Sequence, residues 1–249
     1  MDEGTVDYTT VYDRDALAAA TREAEGEPLA FDTETTSTDA MEASLVGVSL
    51  ASKEKRAVYL PTPLPDGTPT PTALDSIRQR LEDPSVPKVG HNVKYDLLVL
   101  RNHGVDVQGP FFDTMVAHYL VDPEASHKLD DVASFYLNYR PQPITDLIGT
   151  GKNARSMRDV PVEDVGPYAC EDADVTLRLA PLLREKLEAD GLLEIAETIE
   201  FPLVPVLADI ERAGVKVDPK VLEARQTAIM AVYGESGFDE EVSRRNPRR

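Results

Sequence analysis

The sequence is poor in several things at once. It holds one cysteine, Cys170, and no tryptophan, and aromatic residues make up only 6% of its 249 positions. A single thiol excludes an internal disulfide framework and fits a reducing compartment. Long apolar runs are missing too: no stretch approaches the roughly 18–20 residues that span a bilayer. Met1-Asp2-Glu3-Gly4 has neither the positive start nor the apolar core of a secretory signal. A cytoplasmic protein without membrane contact is expected. Positive charge is scarce: 26 Lys and Arg stand against 45 Asp and Glu, a net charge of −19. Phosphate contacts need cations, so this balance argues against tight nonspecific duplex binding by the chain alone. Either the acids coat surfaces away from a substrate, or they gather where a cation binds.

What is present suffices for a folded globular domain. The apolar fraction is 41%, and 249 residues allow one large domain or a domain with an appendage. A helix is expected over Asp13–Glu25, followed by the short apolar run Leu29-Ala30-Phe31 entering Asp32-Thr33-Glu34-Thr35. Leu45–Leu50 and Ala57–Leu60 are β-branched-rich and short, which predicts strands. Five prolines and a glycine make Pro61–Pro71 a loop. Helical spacing marks Thr72–Glu82, and a brief strand at Lys88–Asn92 leads into a helix over Lys94–Asn102. Helices are expected at Phe111–Leu120 and Leu129–Leu137, a polar connection at Pro141–Asp159, and a long helix at Val162–Asp190 with kinks at Pro167 and Pro181. Ile195–Arg212 reads as a further helix, and the arginine-rich end Gly234–Arg249 as a disordered tail. Strands interspersed with helices predict an α/β layer architecture, and three early strands in a row predict a mixed sheet.

The chemistry lies in carboxylates. Asp32 and Glu34 are two apart at the end of a strand, so both point to one face. Side by side they repel unless a cation lies between them, although a lone pair of this kind is ordinarily a solvated strand end. Asp96 falls in the first turn of a helix after a strand, where an acid also suits the helix dipole. Tyr168 and Asp172 are four apart and share a helix face, in a helix made apolar by Leu177, Leu179 and Ala180. Each piece alone is modest. Together they bring hard oxygen ligands from three separated segments, the donor set that a pair of Mg²⁺ ions requires for phosphodiester hydrolysis.

The segments Phe31-Asp32-Thr33-Glu34-Thr35, Asn92-Val93-Lys94-Tyr95-Asp96 and Tyr168-Ala169-Cys170-Glu171-Asp172-Ala173-Asp174-Val175-Thr176 resemble the three motifs of DEDDy exonucleases of the ribonuclease H-like superfamily. With Leu45–Ser49, Phe112–Met115 and Gly149–Asn153 beside them, the chain resembles the 3′-5′ exonuclease domain of family A DNA polymerases, the family of bacterial DNA polymerase I. Pro202–Leu207 through Gly214–Pro219 resembles the start of the polymerase domain. The resemblance implies a ribonuclease H-like mixed sheet flanked by helices, with a C-terminal helical extension. It implies an exonuclease domain over 1–191, the helical start of a polymerase domain over 192–233, and a tail over 234–249. It implies proofreading-type removal of nucleoside 5′-monophosphates from the 3′ end of DNA with two Mg²⁺ ions, Mn²⁺ substituting. Asp32, Glu34 and Asp172 would hold one ion, Asp32 and Asp96 would hold or bridge to the second, and Tyr168 would orient the attacking water. Asn92 matches a position near the terminal nucleotide.

Lys152, Arg155 and Arg158 form a small basic loop in an acidic chain and are candidates for contact with strand phosphates. Single-stranded or frayed 3′ ends should be preferred, because terminal bases must leave the duplex to reach a buried site. No fingers or palm segment follows, so no polymerase activity is expected of this chain; a separate polymerase chain is a candidate partner, and the chain is expected to be a monomer. Two other readings stay open: a ribonuclease D-like exoribonuclease, which shares the five site residues, and an inert fragment serving as a scaffold. His91, His103, His118 and His127 lack ligand spacing and are read as non-catalytic, and Cys170 as a core residue.

Overall fold

Six strands form one mixed sheet: β1 (Asp7–Thr10), β2 (Leu29–Thr35), β3 (Leu45–Lys53), β4 (Arg56–Pro61), β5 (Lys88–Gly90) and β6 (Phe111–Asp113). Their order is β1-β4-β3-β2-β5-β6. β3 runs against both its neighbours, while β1 is parallel to β4 and β2, β5 and β6 are mutually parallel. The helices are α1 (Leu17–Ala24), α2 (Thr70–Glu82), α3 (Val93–Asn102), α4 (Thr114–Val121), α5 (Leu129–Tyr136), α6 (Ile144–Ile148), α7 (Val162–Ala189), α8 (Leu193–Ile195) and α9 (Phe201–Ala213). This computed structural model describes residues 5–151 and 154–231. The chain divides into two units, Met1–Arg212 and Ala213–Arg249. Of the second, the described part holds a helix over 219–231. The expected tail, Gly234–Arg249, lies outside the described residues.

Strand alternation sorts the core into two layers. Leu29 and Phe31 of β2 and Val58 and Leu60 of β4 pack into one layer with Leu74, Ile77 and Leu97. Ala30, Ala57 and Tyr59 face the other, against Ala169, Cys170 and Ala173 of α7. Alanine on both sides lets α7 lie close across the sheet, and it contacts β1 through β5. Gly166 makes the same allowance at β1: a Cβ there would come within 2.0 Å of Thr10 Oγ1. A third cluster, with Ala117, Val132, Leu179 and Leu183, seats α4 and α5 on the second half of α7. Clamped along its length, α7 continues for 28 residues through Pro167 and Pro181.

Three expectations need correction. Phe111–Asp113 is the edge strand β6, because β5 offers it a parallel edge; the helix begins only at Thr114. Asp7–Thr10, on which the sequence pattern carries no expectation, pairs with β4 as β1. The Pro141–Asp159 connection contains α6 and a 3₁₀ turn at Met157–Asp159. Ile195–Arg212 is not one α-helix: a π stretch, Ala196–Glu200, separates α8 from α9. Pro202 cannot donate to the carbonyl one turn back, and the turn before it widens.

Candidate active site

On β2, Ala30 belongs to the layer under α7, so period-two alternation turns Asp32 and Glu34 the same way. Tyr168 and Asp172 lie one turn apart on the facing helix. Carboxylate oxygens of Asp32, Glu34 and Asp172 all fall within 4.8 Å of one another, with Glu34 and Asp172 buried and Asp32 partly open. The fourth acid arrives from the other side. β5 pairs with β2 only at Leu29–Lys88 and Ala30–Val89; beyond that the strands part and the chain turns into α3. Such a gap at the carboxyl ends of parallel strands is where α/β sheets bind ligands. Asp96, in the first turn of α3, fills its floor. Its Oδ1 accepts from the Thr33 backbone N–H at 3.1 Å and from Thr33 Oγ1 at 2.5 Å.

Among the described residues, none of the four acids forms an ion pair. The consequence is visible in their proton affinities. Burial pushes Asp32 up to about 6. Glu34 is raised well above the carboxylate range by burial and then by Asp32, Asp172 and Asp96. Asp96 and Asp172 are raised well above it too, first by burial and then by the charge of Asp32. Burial, followed by the charges of Asp172, Glu34 and Asp32, holds the Tyr168 phenol above its ordinary value, so it remains a proton donor. An all-oxygen cluster of uncompensated acids fits a hard divalent cation and offers nothing to a soft one.

The acids open into a cleft of about 710 Å³. Its walls include His91, Asn92, Tyr95, Lys128, Leu129, Ile144, Ile148, Arg155 and Tyr168. Asp32, Glu34, Asp96, Tyr168, Asp172, Asn92 and Arg155 therefore come together at one place. Arg158 is not on the cleft wall; its Nη2 donates to the Leu45 carbonyl at 2.9 Å. Lys152 lies outside the described residues. A second cavity, of about 780 Å³, is lined by Pro28, Pro87, Phe111, Leu177, Pro181 and Phe201 among others. It is slightly larger but lacks any cluster of acids, so chemistry rather than size selects the first.

Three contributions are tertiary, made by contacts that spacing in the sequence does not reveal. Asp113 is fully buried and accepts from four backbone N–H groups, those of Asn92, Val93, Met115 and Val116, at 2.8–3.3 Å. It thus caps α3 and α4 at once and fixes Asn92 in a left-handed conformation, φ 64 and ψ 46. An acid before a helical Thr is an N-cap signal, but its second helix is not legible from the sequence. Tyr95 reaches Thr35 Oγ1 at 2.5 Å and the Ser37 carbonyl, tying α3 to the loop after β2. The histidines, spaced without pattern, meet in space: His118 Nδ1 lies 2.9 Å from His127 Nδ1, and His91 touches Thr114 and the His127 carbonyl. Burial pushes His91 down to about 4, so it stays neutral in the cleft wall.

The chain is similar to known proteins in sequence and in fold. A family model described as 3′-5′ exonuclease matches residues 8–188. DNA polymerase I of Pseudomonas aeruginosa is 41% identical over 230 residues, covering 88% of this chain and 25% of that protein. The POL domain of Pol1 from M. smegmatis, solved with DNA primer-template and dNTP, superposes with a TM-score of 0.70 at 23% identity, over 88% of this chain and 34% of that one. Escherichia coli RNase D, an exoribonuclease, superposes at 0.63 and 23% identity, over 82% and 51%. The two superpositions show the fold alone. The chain belongs to the 3′-5′ exonuclease family of family A DNA polymerases, and it spans about a quarter of the curated relative's length.

Proposed function

We propose that the chain removes nucleotides from the 3′ end of DNA, releasing nucleoside 5′-monophosphates, with two divalent cations, Mg²⁺ or in its place Mn²⁺. The observation that carries this reading is the convergence of Asp32, Glu34 and Asp172 within 4.8 Å at the end of the sheet, with no ion pair to any of them among the described residues. Asp32, Glu34 and Asp172 would hold one cation, and Asp32 with Asp96 the second. When bound, such ions neutralise the scissile phosphate and lower the pKa of an attacking water. The remaining work falls to protein groups. Tyr168 keeps its proton and can donate a hydrogen bond that orients the water. Asn92 and Arg155 line the approach and can contact the terminal nucleotide and its phosphates. A strand must be unpaired to enter a walled cleft, which favours single-stranded or frayed ends.

Likeness to the DNA polymerase relative supports DNA over RNA, since the ribonuclease D likeness is one of fold. A polymerase portion supplied in the same or another chain would deliver the strand. The test uses 5′-labelled DNA and RNA oligonucleotides of one sequence, with single-stranded and blunt paired 3′ ends, in Mg²⁺ and in EDTA. A Mg²⁺-dependent ladder shortening from the 3′ end of single-stranded DNA faster than of RNA is expected. Faster RNA shortening would transfer the assignment to an exoribonuclease, and equal rates on blunt and single-stranded ends would remove the requirement for frayed ends.

A further inference from the structure

We propose that Thr33, between the two acids of β2, is a positioning residue: its hydroxyl and backbone N–H fix one oxygen of Asp96 so that only Oδ2 faces the cation. This rests on the proposed metal-dependent reading of the cleft and adds a residue that the reading itself does not use. Alternation turns Thr33 away from Asp32 and Glu34, into the layer of Leu29 and Phe31 where α3 packs. A hydroxyl in that apolar layer requires a partner, and it finds Asp96 Oδ1 at 2.5 Å. The backbone does the same for a separate reason. β5 stops pairing with β2 at Ala30, so the Thr33 N–H is released from the sheet and donates to the same Oδ1 at 3.1 Å.

Both donors land on one oxygen, and no hydrogen bond among the described residues reaches Oδ2 of Asp96. Thr33 and Asp96 are 7% and 2% exposed, so water does not compete for the pair. A β-branched side chain in a strand is stiff at χ1, which holds the hydroxyl in place. The carboxylate is therefore oriented before any cation arrives, with one oxygen committed to the protein and one left to the ion.

The test measures the Mg²⁺ and Mn²⁺ concentrations giving half-maximal thermal stabilisation, together with the rate of oligonucleotide cleavage, for the wild type, Thr33→Val and Thr33→Ser. Loss of a partner that orients a metal ligand costs about 10–100-fold in metal affinity. Thr33→Val is expected to raise the half-maximal concentration by that factor while unfolding in EDTA as a single folded species. Thr33→Ser keeps the hydroxyl and is expected to stay within about threefold of wild type on the same scale. In an Asp96→Ala background the Thr33→Val effect should vanish, which a merely structural threonine would not show. If Thr33→Val does not fold, Thr33→Ala gives the same comparison without the valine methyl. An unchanged cation dependence in the hydroxyl-free variant, or an equal loss with and without Asp96, would overturn the proposal. A wild type that neither binds cation nor cleaves would sink the cleft reading itself; one that does both while the hydroxyl-free variant matches it sinks only the role of Thr33.

Discussion

Asp172 and Asp174 lie two residues apart on α7, both buried, and are treated in opposite ways. Asp174 is satisfied: it accepts from Tyr8 Oη at 3.0 Å, from the Lys55 backbone N–H at 2.5 Å, and from Arg178 Nη1 at 3.3 Å. Those donors come from β1, the β3–β4 turn and α7, so its charge binds three elements together. Asp172 faces Asp32 and Glu34 instead and has no cationic partner among the described residues. A buried acid without compensation is costly for a fold. On the proposed reading, the contrast with its fully compensated neighbour separates a residue that serves structure from one that would hold a cation.

The comparison breaks most sharply by substituting each acid in turn. Asp172→Asn should lower single-turnover cleavage at least about 10³-fold, as losses of groups acting as one catalytic unit do. Its thermal unfolding in EDTA should be unchanged or shifted upward, because a repulsive charge has gone. A downward shift would show that Asp172 is structural. Asp174→Ala should do the reverse. It strands the Tyr8 hydroxyl and Arg178 and should cost about 3 kcal/mol in urea denaturation, while the folded fraction still cleaves. Loss of cleavage without loss of stability would contradict this assignment.

The next effect is in pH. Asp32 rises from 3.8 to about 6 in the folded protein, and Glu34, Asp96 and Asp172 are raised well above the carboxylate range by burial and by one another's charge. A raised acid holds its proton in the folded state where the unfolded state has released it. The stability these groups contribute is thus full below about pH 4 and is lost as pH rises through about 6 and beyond. Cations need the ionised acids, so the Mg²⁺-induced rise in unfolding temperature should grow over the same interval. Unfolding curves in EDTA and in Mg²⁺ across this range check it; a larger Mg²⁺ effect on the acid side would contradict the account. The smallest effect separates the two arginines. Arg155→Ala should raise KM by roughly 3–10-fold and flatten the salt dependence of cleavage. Arg158→Ala, whose guanidinium bonds the Leu45 carbonyl away from the cleft wall, should change both less. An unaltered salt slope in Arg155→Ala would remove that residue from the substrate path.

Much of this was legible in the sequence, for a physical reason. Asp32 and Glu34 announce themselves because alternation along a strand is a local rule, and Tyr168 with Asp172 because a helical turn is one too. The mixed sheet followed from strands in succession. The edge strand Phe111–Asp113 was misread because three residues are too few to show a period and only β5 makes them a strand. Thr33 and Asp113 act between elements separated in sequence, and His118 meets His127 across the loop after α4, in both cases where spacing carries no signal. Asp174 had the same letter as Asp172 and differed only in what the fold placed around it.

The central claim, that acids from three elements form a cation-dependent nuclease site, is tested most directly by titrating Mg²⁺ into the wild type and Asp32→Ala while following unfolding temperature and shortening of a 5′-labelled single-stranded DNA. The account predicts that stabilisation and 3′-end shortening rise over one range of Mg²⁺ in the wild type, and that Asp32→Ala folds but loses both. Shortening that survives in Asp32→Ala, or in EDTA, would contradict it.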